Sequence, residues 1–101
     1  MRVVSLPTLK VYWEANPETK QQLLAWYDEV LAAQWSQPAD IKERFGSASI
    51  LKNRRVVFNI KGNHCRLVVA VAVAYKLGVV YVKFIGTHKE YDLIDAETVE
   101  M

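Results

Sequence analysis

Acidic residues are missing from almost half of this chain. Between Arg44 and Lys89 the 101-residue sequence has no aspartate or glutamate, yet that stretch holds Arg44, Lys52, Arg54, Arg55, Lys61, Arg66, Lys76, Lys83 and Lys89 and both histidines, His64 and His88. The formal net charge is only +2, because the acids collect before and after it. Solvated surfaces usually mix the two signs. A field of one sign favours an anionic partner, and nucleic acid is the commonest one.

Other shortages narrow the reading further. The single cysteine, Cys65, excludes an internal disulfide and fits a reducing cytoplasm. It is read as a small buried apolar residue. One cysteine and two histidines give no zinc-ligand spacing, so no metal and no cofactor is expected. The longest apolar run, Leu67 to Tyr75, falls short of the roughly 20 residues a membrane helix needs, so no membrane partner is expected. Residues 1 to 20 carry charges throughout, with no continuous apolar core, so no secretory signal is expected. Only four glycines and three prolines are present, with no repeat or low-complexity linker. One domain over residues 1–101 is expected.

What is present is alternation. From Val56 to Phe84 apolar and polar residues alternate with the period of two that sends side chains to opposite faces of a sheet. Three consecutive antiparallel strands are expected. Gly62-Asn63 suits a two-residue hairpin loop. That loop pairs Lys61 with His64, Ile60 with Cys65 and Asn59 with Arg66. A second loop at Leu77-Gly78 pairs Val73 with Val82 and Ala72 with Lys83. On this register Lys61, His64, Arg66 and Lys83 share one face. Val69, Val71, Val73, Val80, Val82 and Phe84 share the other.

Ahead of the strands, Met1–Val4 reads as a short edge strand and Leu6–Ala15 as a helix capped by Ser5. Asn16-Pro17 interrupts it, and a second helix over Pro17–Trp35 follows, with Leu23, Leu24, Tyr27, Val30 and Leu31 on one stripe. Trp13, Trp26 and Trp35 lie on helices away from the basic residues, so they read as core. Pro38 opens a short helix ending near Phe45, with Gly46 as its stop, and residues 47–53 read as a loop. The class is α+β, with two to three helices packed on the valine-rich face of the sheet. The basic face is left outward, and residues 87–92 follow the third strand as a short polar tail.

An open sheet face with Lys61, His64, Arg66 and Lys83 can hold a phosphodiester. Guanidinium binds phosphate through parallel hydrogen bonds, and lysine adds a mobile charge. His88 offers an imidazole for proton transfer, and Tyr91 can stack on a base or donate a hydrogen bond. These are the parts for metal-free RNA cleavage: a base takes the ribose 2′-hydroxyl proton, cations stabilise the phosphorane, and an acid protonates the leaving oxygen.

The segments FNIKGNHCRLVV and VKFIGTHKEYD, taken together, resemble the HigB-type toxins of bacterial type II toxin–antitoxin modules, within the wider RelE/ParE group. The resemblance covers nearly the whole chain. It implies a compact α+β toxin that cleaves mRNA, typically on the translating ribosome. A helix-turn-helix antitoxin would neutralise it, and operator DNA would be met only through that antitoxin. It also implies roles. Arg66 and Lys83 would stabilise the phosphate, and His88 would be the acid or base, with Tyr91 and Asp92 beside it. Lys61 and Asn63 would orient RNA. The wider group often carries several basic residues in the loop before this sheet, and Lys52, Arg54 and Arg55 are the candidates here. Relatives often have arginine where this chain has Lys83, and lysine is less suited to bidentate binding. Two other functions fit the same scaffold: a non-catalytic toxin that inhibits DNA gyrase, and a simple RNA-binding module.

Overall fold

The computed structural model describes residues 1–61 and 66–100; of Lys61 and Arg66 it describes the backbone. Expectations for Gly62, Asn63, His64 and Cys65 lie outside the described residues. The elements run β1 (Arg2–Val4), α1 (Leu6–Ala15), a 3-10 turn (Pro17–Thr19), α2 (Lys20–Ala32), α3 (Pro38–Arg44), β2 (Ser49–Ile50), β3 (Arg55–Lys61), β4 (Arg66–Ala74), β5 (Val79–Thr87) and α4 (His88–Tyr91). The five strands form one sheet in the order β1-β5-β4-β3-β2. β3, β4 and β5 are the antiparallel meander, and β1 adds to β5 in parallel. The class is α+β, as the alternation implied.

The valine-rich face is the core. Val56, Phe58 and Ile60 of β3, Leu67, Val69, Val71 and Val73 of β4, and Val80, Val82 and Ile85 of β5 pack under Leu9 and Trp13 of α1, Leu23, Trp26 and Val30 of α2, and Ile41 of α3. The helical spacings of three and four residues within each set put them on one stripe. Phe58 is the centre of an aromatic cluster. Trp26 meets it edge-on at 5.4 Å, Phe45 edge-on at 5.0 Å, and Trp35 stacked at 6.2 Å. Trp13, Trp26 and Trp35 are therefore all core residues. Trp35 lies beyond α2, which stops at Ala32 rather than at Trp35; its ring is taken into the aromatic cluster from extended chain.

Several local expectations are corrected. Ser5 does not cap α1 through its side chain and takes a left-handed conformation instead. Phe45, not Gly46, is the C-cap of α3. The stretch read as loop contains the short edge strand β2, paired to Val56 and Val57. Lys61 pairs with Arg66, not with His64, and Val73 pairs with Val80, not with Val82. Both connections are thus two residues longer than expected. A shift of two preserves the side on which each residue sits, so the faces survive both errors.

One face assignment does fail. Between Ala70 and Val71 the β4–β5 register slips, so that Ala70 pairs with Phe84 and Val71 with Val82. Lys83 is the extra residue of a bulge. A bulge sets two residues against one and breaks the alternation beyond it. Phe84 consequently sits on the second face and Ile85 joins the helix-side core.

Candidate functional site

The second face is covered over part of its area, where an open basic surface was expected. Val57, Val68, Ala70 and Phe84 are buried there beneath Ala96, with Tyr91, Ile94 and Val99 packed against them. The chain after β5 turns back over the sheet to provide this cover. Its return begins with α4, which the expected polar tail missed. Thr87 and Glu90 form a capping box: the Thr87 amide and hydroxyl donate to Glu90 Oε1 at 3.0 and 3.1 Å, and the Glu90 amide donates to Thr87 Oγ1 at 3.2 Å. The sequence signal was there, since Thr87-His-Lys-Glu90 is the Thr-x-x-Glu spacing that satisfies two orphan amides at a helix start. Gly86 admits this turn. A Cβ there would stand 2.8 Å from the Phe84 ring and 3.2 Å from Glu90 Oε1.

Strand register places the candidate residues in two groups. At one end, Lys61 pairs with Arg66, and the next residue, Leu67, pairs with Thr87. Lys61, Arg66 and the start of α4 therefore lie side by side across three strands, each about 4.8 Å from the next. His88, the first residue of α4, is partly exposed at this end, and among the described residues no side chain hydrogen-bonds its imidazole. Tyr91 is half-buried, its ring 6.4 Å from that of Phe84, and Asp92 is exposed.

The second group lies further along the strands. Arg55 is six residues from Lys61 on β3, about 20 Å at strand rise, and Lys83 is four residues before Thr87, about 13 Å. Arg55 is buried, with its Nη2 at 2.9 Å from Glu100 Oε1 and its Nη1 donating to the Val99 carbonyl at 2.7 Å. Lys83 Nζ donates to the other Glu100 oxygen at 2.7 Å. The ammonium beside it, first, and the Arg55 guanidinium hold the Glu100 carboxyl below its ordinary range. Lys52 and Arg54 are exposed at the start of β3, remote from His88. The sequence missed Glu100 because its partners lie 45 and 17 positions away. The one clue was that acids resume directly after the cationic stretch, at Glu90, Asp92, Asp95, Glu97 and Glu100.

Among the described residues no helix is long and apolar enough to cross a membrane. Residues 19–94 match the model of the HigB toxin family, described as the RelE-like toxic component of a toxin-antitoxin system. The chain belongs to the HigB toxin family. It is 30% identical over 98 residues to the mRNA interferase toxin HigB of Escherichia coli K12, covering 95% of this chain and 92% of that protein. The same identity and coverage hold for proteins named mRNA interferase HigB from Escherichia coli O157:H7 and Shigella flexneri. The family match runs from the start of α2 through α4, so it contains both cation groups and His88. As a HigB toxin the chain is one half of a pair whose other half is an antitoxin.

Proposed function

We propose that this HigB toxin is an mRNA interferase: a metal-independent endoribonuclease of the cytoplasm that stops translation by cutting mRNA, on the translating ribosome. A cognate helix-turn-helix antitoxin neutralises it, and operator DNA is met only through that partner. The observation that carries the reading is the row Lys61, Arg66, α4 across three adjacent strands, with the partly exposed His88 beginning α4. Arg66 neutralises the scissile phosphate, and Lys61, with Asn63 and His64, orients the strand. The 2′-oxygen loses its proton to a base and bonds to phosphorus. The bond to the 5′-oxygen breaks, and an acid supplies that oxygen with a proton, leaving a 2′,3′-cyclic phosphate and a 5′-hydroxyl. His88 serves as acid or base, with Tyr91 and Asp92 beside it to stack on or hydrogen-bond the RNA. Lys83 stabilises phosphate charge from further down β5, and Lys52, Arg54 and Arg55 guide the strand approaching along β3.

The test is to map transcript ends after brief induction, with chelator present in a parallel cleavage reaction in vitro. His88→Ala is expected to cut about 10²- to 10⁴-fold more slowly, the range for loss of a general acid or base, with its unfolding midpoint unchanged. Transcripts cut equally by parent and variant would remove His88 from the chemistry. Broken chromosomal DNA with intact transcripts would replace the nuclease by a gyrase inhibitor.

A further inference from the structure

Arg55 and Lys83 have a counter-charge that the strands do not supply. Glu100 bridges them, one oxygen to each cation, at 2.9 and 2.7 Å. A carboxylate that spans a guanidinium and an ammonium presents its two oxygens as two phosphate oxygens would. The segment carrying it is held lightly. Its apolar contacts are Ile94, Ala96 and Val99 on the second face, and its polar ties are the Asn53 side-chain amide on the Glu97 carbonyl at 3.2 Å, Arg55 on the Val99 carbonyl and the two Glu100 bridges. The Glu100 side chain is 63% exposed, whereas those of Arg55 and Lys83 are 8% and 23% exposed. The cations are thus covered and the anion covering them faces solvent. An ion pair whose carboxylate is reached by solvent is open to salt screening, and a second anion can compete for its cations.

We infer that residues 94–100 form a displaceable strap, and that Arg55 and Lys83 beneath it are a phosphate subsite for the RNA strand, filled in the free protein by the Glu100 carboxylate. This rests on RNA being the ligand of the second face. It adds that the face is self-covered and that RNA must displace the strap to use its full length. A ligand that binds only the uncovered state shifts the population towards it by its differential affinity. The subsite lies along the strands from His88, so it grips RNA flanking the cut.

The experiment measures binding of a single-stranded oligonucleotide carrying 2′-O-methyl groups. These remove the attacking hydroxyl, so affinity is read without cleavage. Fluorescence anisotropy across a salt series compares the parent with Glu100→Gln, Lys83→Gln/Glu100→Gln and Glu43→Gln, the last removing an exposed carboxylate on α3. Glu100→Gln is expected to bind about fivefold more tightly, the equivalent of one exposed ion pair. Its plot of log affinity against log salt should steepen by about 1.4, which is two single-strand phosphates. The double variant should lose most of both changes, and Glu43→Gln should show neither steepening nor a comparable gain. Unchanged affinity in Glu100→Gln overturns the strap, and so does an equal gain in Glu43→Gln, which would mean bulk charge alone. If Glu100→Gln were merely less stable, with a lower unfolding midpoint and no change in affinity, the bridge would be structural and the inference wrong. Cleavage of unmodified RNA, scored separately, divides the outcomes. Cutting with no affinity gain refutes only the strap; an affinity gain with no cutting refutes only the nuclease.

Discussion

Both faces of the sheet carry buried residues, but they are covered by different means. On one face three helices set a dense core of aliphatic side chains around Phe58, and among the described residues no charged side chain is buried in it. On the other, four buried residues of the strands receive a thin cover from the chain after β5, which is fastened by a carboxylate on two cations. The contrast separates two jobs. Apolar burial scales with area and needs no ligand or counter-charge. Ion pairs reached by solvent are weak and exchangeable. Stability therefore resides under the helices, and responsiveness resides under the strap.

The sharpest way to break this contrast is to cut a side chain from each face. Phe58→Ala should cost about 3–5 kcal/mol, because it removes the ring on which Trp26, Trp35 and Phe45 converge. Val68→Ala, equally buried on the second face, should cost roughly 2 kcal/mol, since two methyls are lost and the thin cover can partly collapse. Denaturant unfolding monitored by circular dichroism measures both, and equal costs would show that the faces are equivalent. Next comes the capping box. Thr87→Ala should cost roughly 1 kcal/mol, a typical N-cap loss. It should also slow RNA cleavage while leaving His88 in the sequence, since α4 would no longer be fixed at the strand end. A variant as active as the parent would show that the box does not position His88.

The smallest effect is that of pH on the strap. Glu100 has its carboxyl lowered from 4.5 by Lys83 and Arg55. A carboxyl lowered in the folded state contributes stability that is present above 4.5 and is lost as pH falls through the lower folded value. The parent and Glu100→Gln should therefore differ in unfolding midpoint at pH 6 and converge under more acidic conditions. A difference that persisted in acid would place its origin outside the carboxylate.

The strands themselves were legible because alternation is a local property. Val56, Phe58 and Ile60 point to the core whichever residue pairs with which, and an error of two residues in each loop left them there. What alternation does not encode is an interruption of itself. The bulge at Lys83 moved Phe84 across the sheet, and the residues on either side of it, Val82 and Phe84, look like ordinary members of one apolar set. The site was legible in part. The row of Lys61, Arg66 and His88 follows from strands that meet in sequence order. The separation of Arg55 and Lys83 from that row did not, because a shared face carries no information about distance along the strand.

By itself the sequence determined the α+β class, the side on which the core lies, the tryptophans as core and the cationic stretch that marks the second face. Each of these depends on residue type and near-neighbour spacing, which chain order preserves. Only the tertiary structure decided that this face is covered, that Glu100 neutralises Arg55 and Lys83, and that the cations fall into two groups. Those contacts join residues 17 to 45 positions apart, and their pairing is fixed by how the chain returns over the sheet rather than by any pattern along it.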